Sequence, residues 1–553
     1  MKKIILFVIL FLAFFLRIFF LNKFPSGFTP DEASFGYDAY SIIKTGKDQW
    51  GVSFPLILKS FGDYKSPLLT YLQIPFVALL GLNKLAIRLP NAIIGFLAVL
   101  ATYLLVMELG KRYKFKIKSW ILASIASFLV AISPWHVMMS RGAFEANFIT
   151  FFLPFGIYLF LKGLKDHKFL IYSSIIFGLN LFSYHSAKFI TPVIVTGLII
   201  LFFKDLKKIS VKNLISPLGI FTVLLILLIY TFSLGGGARI AERSIMQGSL
   251  EEGAKIKIES IQNGMNPIVA RVLHNKYQVT LKRFISNYRQ YFSVRFLFSK
   301  GPAETTYGMI PGFGVLYPFE ILLLVGLVVA IFEKENRKIL IPLFFWLLIS
   351  PVPAALSTGV GYSANRAVSM IPVIQIIISF GVLGWITIFK KMEKKYMSIL
   401  LVSLGIFAIY NFYQFINIYF INIPAISAKG MLYGNLEAFY WLKDNADGGI
   451  NIQVSRRLSE PHIYYAFASK TDPKIYQNST KNWFFEEMGV NWVDQMGEYS
   501  LKNVEFKNII WNSDSKIENT YFVGRPEEFP LNIKAEHIIY FPDGTVSSII
   551  VKK

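Results

Sequence analysis

Apolar runs separated by short Lys- and Arg-rich stretches dominate the first 420 residues of this chain. Eleven runs read as membrane-spanning helices, at 4–21, 91–107, 119–134, 147–161, 169–184, 189–203, 214–234, 315–332, 339–356, 368–389 and 397–420. Several fall short of the ~20 residues needed to cross a bilayer upright, and are expected to extend into their flanks or tilt. A twelfth run, 67–82, is also apolar, and charge decides how it is read. If 67–82 does not cross, the basic loops 111–118, 204–212 and 390–395 share one side with Lys2 and Lys3, as do 162–168 and 334–338. Loops rich in Lys and Arg mark the cytosolic side. Residues 67–82 are therefore expected to lie along or dip into the outer surface as an interfacial or re-entrant helix. Met1-Lys2-Lys3 opens like a signal peptide, but Arg17 interrupts the run and no small-residue cleavage site follows. A retained first helix is expected.

Beyond residue 421 the pattern changes. Gly449-Ile450-Asn451-Ile452-Gln453-Val454 and His537-Ile538-Ile539-Tyr540-Phe541 alternate as strands do, while Leu436 to Leu442 is apolar at helical spacing. The expected fold is a polytopic α-helical membrane protein, residues 1–424, followed by a small extracytosolic α/β domain, residues 425–553. Its outer face would carry a first loop, 22–90, and a long loop, 235–314, entered through Gly235-Gly236-Gly237 as a hinge. Composition agrees: of 553 residues 54% are hydrophobic and 16% charged, with a mean hydropathy of +0.49. Soluble chains carry about 25% charged residues. The formal charge of +23 sits largely in the loop runs, so it points to the bilayer and not to nucleic acid. The absence of cysteine excludes disulfides, thiolate metal sites and cysteine nucleophiles. The expected location is the plasma membrane of a prokaryote, N-terminus cytosolic and C-terminus outside.

The candidate chemistry gathers on that outer face. Asp31 and Glu32, in Phe28-Thr29-Pro30-Asp31-Glu32, follow the first span, and Asp63, Tyr64 and Lys65 lie in Gly62-Asp63-Tyr64-Lys65-Ser66-Pro67. Further along come Arg141 and Glu145, then His185 and Lys188, then Arg366 in Tyr362-Ser363-Ala364-Asn365-Arg366. Ionisable groups beside a membrane are costly unless solvated or paired, which makes them functional candidates. Sugar transfer from a polyprenyl phosphate needs this inventory: cations to hold the departing phosphate, and a carboxylate to take the acceptor hydroxyl's proton. Plainer readings stand beside it. Glu32 suits the start of a helix over Ala33 to Ile43, Lys65 can snorkel to headgroups, and Arg141 and Arg366 can anchor span ends. His185 can be a structural histidine, and Asp38 and Asp48 are read as solvated surface.

In order, the first span, Asp31-Glu32, Tyr64-Lys65-Ser66-Pro67-Leu68, Arg88-Leu89-Pro90-Asn91-Ala92 and Ser140-Arg141 resemble the GT-C glycosyltransferases over about residues 1–390. The branch it is most similar to holds the protein O-mannosyltransferases, the lipid A aminoarabinose transferases and bacterial dolichyl-phosphate-mannose transferase-like proteins. The resemblance implies a GT-C membrane fold, a lipid-phosphate-linked sugar donor, Asp31 as base, a donor-facing Asp63-to-Pro67 segment, and an interfacial helix after it. The chain has Lys65-Ser66-Pro67-Leu68 where the mannosyltransferases have His-Pro-Pro-Leu, and lacks both Trp-Trp-Asp and a clear Asp-x-Asp pair.

The expected function is inverting transfer of a hexosyl or pentosyl unit to a hydroxyl of a glycolipid, cell-surface glycan or protein. No cofactor is required for it; a divalent metal is compatible but not indicated. Asp31 and Glu32 are the catalytic candidates. Asp63, Tyr64, Lys65, Arg141, Glu145, His185, Lys188 and Arg366 are the donor-phosphate and substrate candidates. Two rivals stand: a polymerase or ligase using diphosphate-linked oligosaccharide, and a transporter or lipid flippase, which would place its ionisable groups near the bilayer midplane.

Overall fold

Every apolar run identified in the sequence is helical in the computed structural model, which describes all residues except 116, 237–243, 359–362, 391, 447–448, 485–486 and 491. Lys116, Gly237, Tyr362 and Lys391, each part of a motif named above, lie outside the described residues. Six helices are long and apolar enough to cross a membrane: Lys84–Tyr113, Glu145–Gly163, Val211–Gly235, Lys334–Ala355, Val368–Phe389 and Lys394–Asn422. Shorter apolar helices include Ser119–Ile132, Lys168–Leu181, Ala187–Leu201 and Glu320–Phe332. This is a multi-pass membrane protein.

The first helix, α1 (Lys2–Ile18), packs on the helices that follow the first loop. Within that loop α2 (Pro30–Thr45) begins as its sequence requires. Proline occupies its first position, and the N–H groups of Thr29 and Glu32 each donate to the other residue's side chain at 3.2 Å, a capping box. A short hairpin follows, β1 (Leu58–Lys59) antiparallel to β2 (Tyr64–Lys65). Then come α3 (Leu68–Leu80) and α4 (Lys84–Tyr113). At 13 residues α3 is about 20 Å long, short of the ~30 Å hydrocarbon core. It corresponds to the 67–82 run.

The tail builds a six-stranded mixed sheet in the order β4-β5-β3-β6-β8-β7, from β3 (Asn451–Val454), β4 (Tyr499–Leu501), β5 (Val504–Phe506), β6 (Thr520–Gly524), β7 (His537–Tyr540) and β8 (Val546–Lys552). The central β5-β3-β6 strands are parallel and the outer pairings antiparallel. Helices Asn435–Asn445 and Pro461–Ser469 cover it. One continuous apolar core runs from Phe28, Phe35 and Tyr37 of the first loop through Phe439, Ile463 and Phe467 to Val504 and Phe506. Polar contacts join the same surfaces. Tyr37 donates to the carbonyl of Thr471 (2.9 Å), Tyr464 to that of Phe28 (2.7 Å), and the N–H of Val493 to the carbonyl of Phe61 (2.9 Å). Gly27 sits at φ +90°, and a Cβ there would fall 2.4 Å from the carbonyl oxygen of Met431. The tail approaches the loop too closely for a side chain.

Asp38 and Asp48 correct the surface reading: each is about 1% exposed. Asp38 accepts from the backbone and side-chain nitrogens of Gln49, and Asp48 from the N–H groups of Trp50 and Val52. They shape the 47–53 turn. Burial pushes Asp48 up to about 6 and Asp38 well above the carboxylate range, Asp48 adding to the latter shift.

Candidate active site at the first loop and tail

Asp31 and Glu32 are adjacent in sequence and opposite in fate. Glu32 is fully buried and ion-paired with the equally buried Arg88, Nε to Oε1 at 2.8 Å. Its Oε1 also accepts from the N–H of Ala143 (3.0 Å), and its Oε2 from Arg88 Nη2 and the N–H of Thr29. Arg88 gives its remaining donors to the carbonyls of Leu21, Pro25 and Gly27. Its oxygens are engaged in fixing the loop to α4, which sets Glu32 apart from Asp31 among the catalytic candidates.

Arg141 is engaged by the chain around it as well. It is fully buried, and it donates to the carbonyls of Leu16 (2.7 Å), Phe19 (2.6 Å) and Phe24 (3.4 Å). The carbonyls of Leu16 and Phe19 are orphan acceptors at the end of α1, which a cation satisfies well. Arg141 caps a helix, with its Nε left without a hydrogen bond among the described residues. Arg17 works in parallel from within α1, donating to the carbonyls of Ala131 and Val130. Asn91 of the Arg88-to-Ala92 motif donates to the carbonyls of Met139 and Gly142. These motif residues build the frame.

Inside that frame the structure brings Asp31, Asp63, Lys65 and Glu145 together. Lys65 is 3% exposed, and its Nζ is ion-paired with Asp31, whose side chain keeps 40% exposure. The ammonium lies 5.2 Å from the ring centroids of both Phe35 and Phe61, an aromatic sandwich suited to a cation. Burial lowers the Lys65 pKa; Asp31 and Asp63, then Glu145, more than offset it and leave the group above its ordinary value. It is a permanent cation with one partner open to solvent. Tyr64, beside it, packs on Gly235, where a Cβ would lie 2.7 Å from the ring.

Lys188 is half-buried, 5.9 Å from the Phe232 ring, on the turn that leads to Gly235. His185 stacks edge-on against Tyr184 at 5.8 Å. Arg366 belongs to another group: it donates to the carbonyl of Thr358 and lies in the field of Glu304 and Tyr291. Glu304 accepts from the N–H of Asn365 (3.2 Å), whose amide reaches the Tyr184 hydroxyl at 3.4 Å. Burial holds the Glu304 carboxyl above its usual range despite hydrogen bonds from Ser363 and Asn365 and the charge of Arg366. Arg366 is thus not brought to Lys65 in the described residues.

Two acids that the sequence reading missed come from the tail. Glu460 lies within electrostatic reach of Lys65, Asp31 and Asp63, and its N–H donates to Asp494 Oδ2 at 2.6 Å. Glu460, His462 and Asp494 also place ligand atoms within 4.8 Å of one another, the one group among the described residues spaced to hold a metal ion. Hydrogen bonds already run through it: the Tyr499 hydroxyl donates to Asp494 Oδ1 (2.6 Å) and lies 2.9 Å from His462 Nδ1. The sequence signal for Glu460 was an acid before Pro461 at the head of an apolar helical run, a helix-start pattern.

The segment 64–231, from β2 through the frame helices, matches the dolichyl-phosphate-mannose-protein mannosyltransferase family. The fold is shared with ArnT of Cupriavidus metallidurans bound to undecaprenyl phosphate, at 11% identity and TM-score 0.53, covering 99% of this chain and 97% of ArnT. Its apo form matches over the same shares at 9% identity and TM-score 0.50. The chain shares the fold of these structures, a GT-C membrane fold. An archaeal oligosaccharyltransferase, AglB from Archaeoglobus fulgidus, aligns at 14% identity and TM-score 0.49 over 95% of this chain and 69% of its own. No curated protein sequence matches the chain. The tail sheet is set against the first loop of this helical part.

Proposed function

We propose that this protein transfers a hexosyl or pentosyl unit from a polyprenyl-phosphate donor to a hydroxyl-bearing acceptor at the outer membrane face, inverting the anomeric carbon. One observation carries the reading: a buried lysine, Lys65, held between Phe35 and Phe61 and paired with the half-exposed carboxylate of Asp31. A donor phosphate competes with Asp31 for the ammonium, so donor binding frees the carboxylate beside the reacting carbon. Asp31 then takes the acceptor hydroxyl's proton as the new C–O bond forms. The bond from the anomeric carbon to the phosphate oxygen breaks, its electron pair leaves with the lipid phosphate, and Lys65 stabilises the added charge. Asp63 and Glu145 keep Lys65 charged and placed. In this reading Tyr64, Lys188 and His185 contact the donor. The step uses no cofactor, and EDTA is expected to leave its rate unchanged.

The test is transfer by purified protein from polyprenyl-phosphate sugars to glycolipid, glycan and protein acceptors, with products identified by mass. Transfer supports the reading; activity only with a diphosphate-linked oligosaccharide overturns it in favour of a ligase. In this reading the N-terminus and the 111–118 loop face the cytosol and residue 553 lies outside. A membrane-impermeant thiol reagent should label a single cysteine placed in the tail of this cysteine-free chain and spare one at position 114. Labelling at 114 from outside sinks the orientation.

A further inference from the structure

We propose that Glu460, carried by the tail, is a substrate-binding residue of the same site, taking a hydroxyl group of a sugar on the donor or the acceptor. The inference rests on the proposed function above and adds to it a role for the tail. Glu460 is 8% exposed, and among the described residues its Oε2 makes no hydrogen bond, with His462 Nδ1 at 3.9 Å. A buried carboxyl oxygen with no partner is costly unless a ligand group meets it. Its surroundings tell which ligand. Lys65, Asp31 and Asp63 face it from the first loop, and Asp494 holds its backbone N–H from behind. The open Oε2 can accept from an O–H, the donor that a sugar hydroxyl offers. A phosphate is already served by Lys65, and a second carboxyl would not attract one.

The chain also holds Glu460 in place at a conformational cost. Ser459 and Glu460 both sit in the left-handed region, at φ +56° and +51°, immediately before the helix Pro461–Ser469. Adjacent non-glycine residues rarely adopt it without surroundings that enforce it. Here the enforcement comes from the joint with the first loop: the Val493 N–H bonds the Phe61 carbonyl next to Asp494, and the His462 ring meets the Phe61 ring at 5.6 Å. Phe61 is also one wall of the Lys65 sandwich. The lysine and the acid are therefore positioned by a common residue.

The experiment uses the full chain in lipid nanodiscs. Affinity is measured for a polyprenyl phosphate and for the same lipid phosphate bearing a sugar, and KM for the acceptor is measured in transfer assays. Glu460→Ala should lose at least ~10-fold in one of the two sugar-dependent quantities, with affinity for the bare lipid phosphate unchanged. Loss of the preference for the sugar-bearing lipid assigns the donor sugar; a rise in acceptor KM alone assigns the acceptor. Glu460→Gln, which keeps an acceptor, should recover most of the loss. A folded Glu460→Ala protein that keeps both quantities overturns the role. Should Glu460→Ala fail to fold, Glu460→Asp carries the test: withdrawing the carboxyl by one methylene should give the same loss, and unchanged quantities overturn the role. If wild-type protein binds neither lipid and transfers nothing, the proposed function itself fails. If wild type discriminates and the Glu460 variants do so equally, only the Glu460 assignment fails.

Discussion

Two cations a few residues from the same loop, Arg88 and Lys65, show how differently a membrane protein uses buried charge. Around Arg88 every donor has a fixed acceptor: both oxygens of Glu32 and three backbone carbonyls. Around Lys65 the partners are acids and ring faces, and one acid, Asp31, reaches solvent. A saturated guanidinium holds chain segments in register. An ammonium whose partner is half exposed can exchange that partner for a ligand. Arg141 and Arg17 also clamp α1 through carbonyls, each with its Nε left without a hydrogen bond among the described residues. The difference lies in the completeness of the hydrogen bonding, not in the charge.

Breaking the saturated side should show first and in stability. Arg88→Leu strands the buried Glu32 carboxylate, and is expected to cost about 3–5 kcal/mol of folding stability, read as a lowered unfolding temperature in detergent. An unchanged temperature would mean that the pair is not buried in the membrane-embedded protein. On the open side the loss falls on rate. Lys65→Ala should remove about 2–4 kcal/mol of transition-state stabilisation, with folding kept, read as kcat/KM for transfer. Asp31→Asn should lower turnover by ~10²-fold while donor binding survives, whereas Glu32→Gln should act through stability. Near-wild-type turnover by Asp31→Asn removes it as the base.

The tail supplies a smaller, pH-dependent contrast. Burial drops His462 from 6.5 to about 3, so the folded protein keeps it neutral. The unfolded chain then takes up the proton first as pH falls. The His462 contribution is complete above about 6.5 and declines toward pH 3 by about 1.4 kcal/mol per unit at most. Glu460, raised by burial, works in the opposite direction, favouring low pH. The diagnostic quantity is therefore the difference between wild type and His462→Phe in unfolding temperature across pH 4–7. A difference that does not shrink as pH falls removes the buried neutral histidine. Arg366→Ala should do least, under ~1 kcal/mol in kcat/KM, since it bonds the Thr358 carbonyl and stands with Glu304 apart from Lys65. A loss as large as that of Lys65→Ala would join the two groups into one site.

Much of the fold was legible because its signals are local. Hydropathy runs located the helices, Thr29-Pro30-Asp31-Glu32 announced the start of α2, and alternation found β3 and β7. The site was legible in part: Asp31, Asp63 and Lys65 were named together, while Glu304 and Glu460 were not named. Glu32 and Arg141 looked as reactive as their neighbours. Nothing adjacent to Glu32 reveals Arg88, 56 positions away, and the carbonyl that Arg141 caps at Leu16 is 125 positions away.

By itself the sequence determined where the chain is apolar enough to be helical, where helices begin, and that carboxylates and a lysine follow the first span, because these depend on spacing over a few residues. Tertiary structure alone decided which of those charges are saturated, that Asp38 and Asp48 are buried, and that the tail brings Glu460 to Lys65. Saturation and burial are set by groups brought close only when distant segments pack, and the Phe61 joint between loop and tail is where that packing makes the choice.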